Sequence, residues 1–221
     1  MDKPELLPLQ IVPNSVAAMV IIRGLGSEHK KGREHHHTWI RELRSAKFKG
    51  SIYQYWWDSS PNTHTYFKVK SRAKEVGRFY MADDLFSCPE QSINIVAHSM
   101  GCRIPYNMLK DWKKTGQTHS IQSRLKSCIF LGGHIKRDAS RPWHLFPKYF
   151  SRGLYNFYNP KDETLKMFHK TMGVFDSSPC GRKPIELKDP KIINRKVSSI
   201  GSSHKGDDYI SVLSRYVSFN H

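Results

Sequence analysis

The sequence predicts an α/β fold built on about six mostly parallel strands with helices on both faces. Three features predict it. Near-continuous aliphatic runs recur along the chain, as in strands covered on both sides. Stretches with apolar residues at helical spacing separate them. The total of 221 residues, 38% of them hydrophobic, suits one α/β unit and is long enough to bury a core without a disulfide or metal. No internal repeat and no linker composition divides the chain, so one domain over 1–221 is expected.

Six runs are read as strands. "VAAMVIIR" (Val16 to Arg23), "SINIVAH" (Ser92 to His98) and "SCIFLGG" (Ser127 to Gly133) are the aliphatic ones. "SIYQYWW" (Ser51 to Trp57) and "LYNFYN" (Leu154 to Asn159) alternate more and are aromatic, as strands nearer an edge are. "RKVSSIG" (Arg195 to Gly201) is the last. Helices are expected over Thr38 to Ser45, Lys68 to Phe86, Cys102 to Lys113 and Asp207 to Phe219. In the third, Ile104, Met108, Leu109 and Trp112 form one stripe; the fourth opens on two acids that suit the helix dipole. Ser27 to His37 is polar and lacks periodicity, which predicts a mobile basic loop. Residues 167–190 carry Gly173, Pro179, Gly181 and Pro184 and predict an irregular excursion. The aromatic stretch "RPWHLFPKYF" within 141–153 is either a flap packed on the core or a lid that lines an acyl pocket.

Thirty-six basic residues against nineteen acids give a net charge of +17. Such a surface is either simply well solvated or meets an anionic partner. No zinc-finger spacing, ribonucleoprotein aromatics or long basic helix accompanies the charge, so nucleic acid is disfavoured and an anionic membrane surface is at least as good a candidate. The four cysteines form no CxxC pair and read as reduced thiols. The N-terminus lacks a basic start followed by an apolar run, and no stretch approaches a membrane span; a cytoplasmic protein is expected.

Two turns carry the chemistry. "AHSMG" (Ala97 to Gly101) is a small-x-Ser-x-Gly pattern with a strand before it and a helix after it. A serine on so tight a turn takes a strained backbone, and side chains two residues either side would collide there, which Ala97 and Gly101 avoid. Met100 then offers its N–H at a helix start. A plain serine cap between strand and helix is the alternative reading of the pentapeptide. "RGLGS", after the first strand, is either a plain glycine-rich turn or a loop whose glycines let the backbone swing close to a substrate; no Gly-Lys-Ser/Thr follows, which disfavours a phosphate loop.

Together these motifs resemble the serine esterase/lipase type of α/β-hydrolase, along nearly the whole chain. The resemblance implies a reduced α/β-hydrolase fold lacking the family's first two strands. It also implies a triad in the order Ser, acid, His. Ser99 is then the nucleophile, and Leu25 and Met100 supply the oxyanion N–H groups, with Arg23 standing where the family's loop often has His. Asp162, after the strand Leu154 to Tyr158, is the implied acid, with Asp138 as the second candidate. His204, in "IGSSHKGDD" beyond the last strand, is the implied base. Gly24, His98 and His134 are implied as pocket residues. The expected reaction is cleavage of a carboxylic ester, of a lipid or another small-molecule acyl group, with no cofactor and no metal. His29 and His35 to His37 are not read as a metal site, because adjacent histidines point apart and no carboxylate or Cys spacing completes a tetrahedron. A catalytically silent hydrolase fold and a basic nucleic-acid binder are the alternatives. Oligomeric state stays open.

Overall fold

The computed structural model describes residues 2–27, 31–59, 66–112, 121–171 and 178–219, the side chains of 169–171 excepted. His29, Lys113 and residues 172–177 of the expected excursion lie outside this set.

Among the described residues seven strands form one sheet in the order β1-β3-β2-β4-β5-β6-β7. They are β1 (Glu5–Gln10), β2 (Ala17–Ile22), β3 (Ser51–Trp56), β4 (Ser92–His98), β5 (Leu125–Leu131), β6 (Gly153–Tyr158) and β7 (Ile192–Lys196). All neighbours pair parallel except β1, which runs antiparallel to β3. The count therefore exceeds the expected six by β1. That strand reads "ELLPLQ", mostly half-buried, with Pro8 inside it. A proline lacks a ladder donor and is tolerated on an edge strand, so the local pattern hides a strand that tertiary pairing makes. β7 also begins earlier than expected, at Ile192, and ends at Lys196; its exposed charged end is an edge feature.

Side chains alternate across the sheet with period two. Ala18, Val20 and Ile22 of β2 face one core with Ile95, Ala97 and Phe130. Ala17, Met19 and Ile21 face the other with Val96, Ile129 and Phe157. The first core is closed by α2 (Tyr66–Phe79), α3 (Met81–Phe86) and α4 (Arg103–Asp111). The second is closed by α1 (His37–Ser45), the short helix Gly206–Ile210 and the C-terminal turns through Phe219.

Several boundaries differ from expectation. The helix read over Lys68 to Phe86 is two helices, broken at Tyr80 (φ −124°, ψ −46°). The last helix stops at Ile210, and a 3-10 turn at Leu213–Arg215 follows. The lid reading of 141–153 gives way to core packing. Trp143, Phe146 and Phe150 are fully buried. Trp143 meets Tyr106 and Phe130 edge-on, Phe146 meets Phe130 edge-on with centroids 5.4 Å apart, and Phe150 stacks on Phe146. Burying three such side chains is worth roughly 1.5–3 kcal/mol each, which a lid would forgo. The described part of the excursion, 178–190, is pinned. Asn156 Nδ2 donates to the Cys180 carbonyl (3.0 Å) and to Asn194 Oδ1 (2.9 Å), and Asn194 in turn bonds both backbone groups of Ile185.

Candidate active site

The sheet order reverses at β2, which lies between β3 and β4. A crevice therefore opens at the carboxyl ends of β2 and β4, where the chains leave in opposite directions. The register aligns Ile22 with Ala97, so the loop after β2 and the turn after β4 emerge side by side. A cleft of about 410 Å³ lies there, lined among others by Gly24, Leu25, His98, Ser99, Met100 and His134.

Ser99 sits on that turn with φ +54°, in the left-handed region that a β-carbon disfavours. A 3-10 turn, Ser99–Cys102, leads into α4. Gly101 explains how so sharp a turn packs: a β-carbon there would lie 2.5 Å from the Arg23 carbonyl oxygen and 2.9 Å from that of Ile22. A β-carbon on Gly24 would stand 2.8 Å from the Ser99 β-carbon. The elbow and the glycine loop thus touch through backbone, and both need glycine at the contact.

The three polar groups expected to meet do meet. Ser99 Oγ lies 2.7 Å from His204 Nε2, and His204 Nδ1 lies 2.6 Å from Asp162 Oδ2. A carboxylate only accepts, so Nδ1 carries the proton and Nε2 offers its lone pair to the Ser99 hydroxyl. Asp162 is fully buried, and its other partners are the Tyr209 hydroxyl (2.9 Å, to Oδ2) and the Leu165 N–H (2.8 Å, to Oδ1). Three donors offset the cost of removing that charge from water. Asp138, the second candidate acid, is elsewhere: it accepts from Ser140 and lies 3.5 Å from Arg141.

The remaining expected residues also reach the cleft. Leu25 and Met100 line it together with Ser99. His98 Nε2 donates to the His204 carbonyl (2.9 Å), so this histidine holds the loop that carries His204. His134 N–H donates to the Ser99 carbonyl (3.1 Å), and its ring lies 5.1 Å from Tyr66 in the cleft wall. Phe168 stacks on Tyr66 at 5.9 Å and extends that wall.

Further residues complete the arrangement, and of these Tyr209 and Trp39 carry no local sequence signal. Tyr209 reaches Asp162 only because the helix Gly206–Ile210 folds back over the site; burial first, then Asp162, pushes its phenol far above the usual range. Asn159 Nδ2 donates to the Gly201 carbonyl (2.8 Å) and ties the turn before Asp162 to the loop before His204. Trp39 Nε1 donates to Asp207 Oδ1 (2.7 Å), and Arg23 pairs with the same oxygen at 3.5 Å. Arg23 lies over Trp39 at 5.5 Å and donates to the His35 carbonyl. Burial lowers the Arg23 pKa, and Asp207 opposes the shift.

This network corrects the expectation of a mobile histidine loop for its described part. Arg33–His35 is a 3-10 turn, and His37 begins α1. His36 is fully buried, with Nδ1 3.0 Å from the Gly32 carbonyl and Nε2 unpartnered. Burial, the largest cause, brings its pKa down to about 4. Among the described residues no group of three or more His, Cys, Asp or Glu side chains is placed to hold a metal ion. No helix among them is long and apolar enough to cross a membrane.

The switch-point crevice, the strained serine elbow and the parallel sheet with its antiparallel edge define an α/β-hydrolase fold. No family model matches the sequence, and no curated protein sequence matches it. Solved structures similar to the chain include three hydrolases. A type II thioesterase of the yersiniabactin pathway is 12% identical over 60% of this chain, with a TM-score of 0.35; the chain spans 48% of its length. A lidless serine hydrolase from Xanthomonas campestris is 10% identical over 88% of this chain and 78% of its own, with a TM-score of 0.40. An esterase from Thermogutta terrifontis is 12% identical over 96% of this chain and 84% of its own, with a TM-score of 0.43.

Proposed function

We propose that the protein is a serine hydrolase that cleaves a carboxylic ester through an acyl-enzyme. The continuous relay from Ser99 through His204 to Asp162, at 2.7 and 2.6 Å, is the observation that carries this reading. Ser99 Oγ attacks the ester carbonyl while His204 Nε2 takes its proton. Asp162 keeps the imidazole in the required tautomer and stabilises the imidazolium. The backbone N–H groups of Leu25 and Met100 hold the oxyanion; losing one such donor costs roughly 2.7–4 kcal/mol in the transition state. When the tetrahedral species collapses, the ester C–O bond breaks and the leaving alcohol takes the proton from His204. Water then repeats the sequence on the acyl-enzyme, and the acid departs. His98 supports the base through its carbonyl, and the Tyr66–His134–Phe168 wall shapes the acyl or alcohol side of the cleft.

A fluorophosphonate probe tests the reading. Wild type labels once, at Ser99, and hydrolyses p-nitrophenyl esters; Ser99→Ala does neither while melting at the same temperature. A folded wild type that takes up no probe and turns over no ester overturns it.

A further inference from the structure

One wall of the cleft is made of rings. It begins beside Ser99, whose carbonyl accepts from the His134 N–H at 3.1 Å. That bond fixes His134, three residues beyond β5, at the cleft. The His134 ring lies 5.1 Å from that of Tyr66, the first residue of α2, and 6.2 Å from that of Phe168. Tyr66 and Phe168 lie 5.9 Å apart with their planes within 24°, so their faces turn the same way. Tyr66 hydroxyl and His134 Nε2 lie 3.2 Å apart, which joins two of the rings at their polar ends. Phe67 meets the Tyr66 ring edge-on at 5.8 Å and carries the run of rings outward, at 58% exposure. Thr164 and Phe168 stand one turn apart on the helix Glu163–Thr171 and both line the cleft, while Leu165 is fully buried. The helix that begins just after Asp162 thus turns a ring toward the cleft.

Aromatic rings gain by meeting other rings offset or edge-on at about 4.5–7 Å, beyond what burial of area alone supplies. The spacings within this wall fall in that range, yet Tyr66 and Phe168 are only half-buried, so ring surface is left for a further partner. Gly24, Gly26 and Gly206 also line the cleft and bring no side chain to cover it. At about 410 Å³ the cleft is of a size that takes a small organic ligand. A pocket of aliphatic side chains buries any apolar group alike, whereas a set of rings distinguishes a flat group from a puckered one. We propose that Tyr66, His134 and Phe168 form a stacking subsite for an aromatic ring in the acid or the alcohol part of the substrate, so that the enzyme selects arylalkyl esters. This rests on the serine-hydrolase reading and names its substrate class. The ring packs on the wall while the ester carbonyl reaches Ser99.

The test compares rings of similar size. Methyl phenylacetate against methyl cyclohexylacetate places the ring in the acid; benzyl acetate against cyclohexylmethyl acetate places it in the alcohol. Each kcat/KM is divided by the hydroxide-catalysed rate constant of the same ester, which removes intrinsic reactivity. The cyclohexyl ring is the more apolar, so a slot that is merely apolar prefers it, and the sign of the preference is diagnostic. Wild type prefers the aromatic member of at least one pair by about three- to tenfold. Phe168→Leu, which keeps an apolar side chain and removes the ring, loses that preference, and Phe168→Tyr retains it. Tyr66→Leu acts as Phe168→Leu does and serves in its place if that variant melts early. Phe79→Leu, at the far end of α2 about 20 Å away, leaves the preference intact. Equal or faster turnover of the cyclohexyl member in both pairs, an aromatic preference undiminished in both leucine variants, or an equal loss in Phe79→Leu overturns the subsite. So does an enzyme that takes up fluorophosphonate and hydrolyses none of the four esters. If wild type takes up no fluorophosphonate, the hydrolase reading fails on its own. Binding of the four esters, then uncleaved, by saturation-transfer NMR makes the same comparison: an aromatic preference lost in Phe168→Leu upholds the subsite, and no such preference in wild type removes it.

Discussion

Two buried carboxylates sit at opposite ends of the same sheet, and each accepts a hydrogen bond from a tyrosine. At the carboxyl end, Asp162 takes the Tyr209 hydroxyl at 2.9 Å. At the amino end, Glu90 takes the Tyr53 hydroxyl at 2.9 and 3.1 Å, and the Cys88 thiol at 3.1 Å. Both acids are hidden from solvent, Asp162 at 0% and Glu90 at 4% exposure. Yet the two ends do different things. Around Glu90, Arg124 donates to the carbonyls of Cys88 and Glu90 and closes the chain ends over the carboxylate. Around Asp162, one donor is an imidazole whose far nitrogen reaches a strained serine at an open cleft. Burial of an acid and a tyrosine is thus a means of closing a fold. What sets one such pair apart is the imidazole between it and a serine at an open cleft.

The comparison can be broken by neutralising each acid in turn. Asp162→Asn leaves the shape and removes the acceptor that sets the tautomer, so kcat on p-nitrophenyl esters falls by about 10⁴-fold. Glu90→Gln leaves kcat unchanged and lowers the urea midpoint instead. Loss of turnover in Glu90→Gln would erase the distinction between the two ends.

His36 sharpens it from the carboxyl end. Its pKa is near 4 in the folded chain and near 6.5 when exposed, so between these values the unfolded chain binds the extra proton. Stability is full above pH 6.5 and falls as the pH drops toward 4, by up to about 3 kcal/mol. Urea midpoints across that window measure the loss, and His36→Gln flattens the curve in the same window.

The smallest effects come from removing the two phenols. Tyr209→Phe and Tyr53→Phe each leave a buried carboxylate short of a donor and cost about 1–3 kcal/mol of stability. Only Tyr209→Phe also lowers kcat, because only Asp162 is coupled to His204. A matching fall in kcat for Tyr53→Phe would contradict the division of labour.

Where a residue's role is set by its neighbours in sequence, that role was legible. The aliphatic runs of β2, β4 and β5 announce buried parallel strands, and the glycines at 24 and 101 announce close backbone approach. The order Ser99, Asp162, His204 followed from a resemblance, and the geometry brings those side chains into contact. What stayed hidden depends on distant packing. β1 carries Pro8 and becomes a strand only beside β3. The aromatic stretch through Phe150 reads equally as lid or core until Tyr106 and Phe130 are seen against it. Tyr209 looks like an ordinary helix residue, because Asp162 lies 47 positions away.

The close approach at Gly101 has a practical outcome. The serine turn rests directly on carbonyls of Ile22 and Arg23, with no side chain to cushion it. Fraying between β2 and β4 would therefore displace Ser99 before the rest of the molecule loosens. Loss of turnover on warming becomes a gauge of the sheet's central seam, read out ahead of any global melting signal.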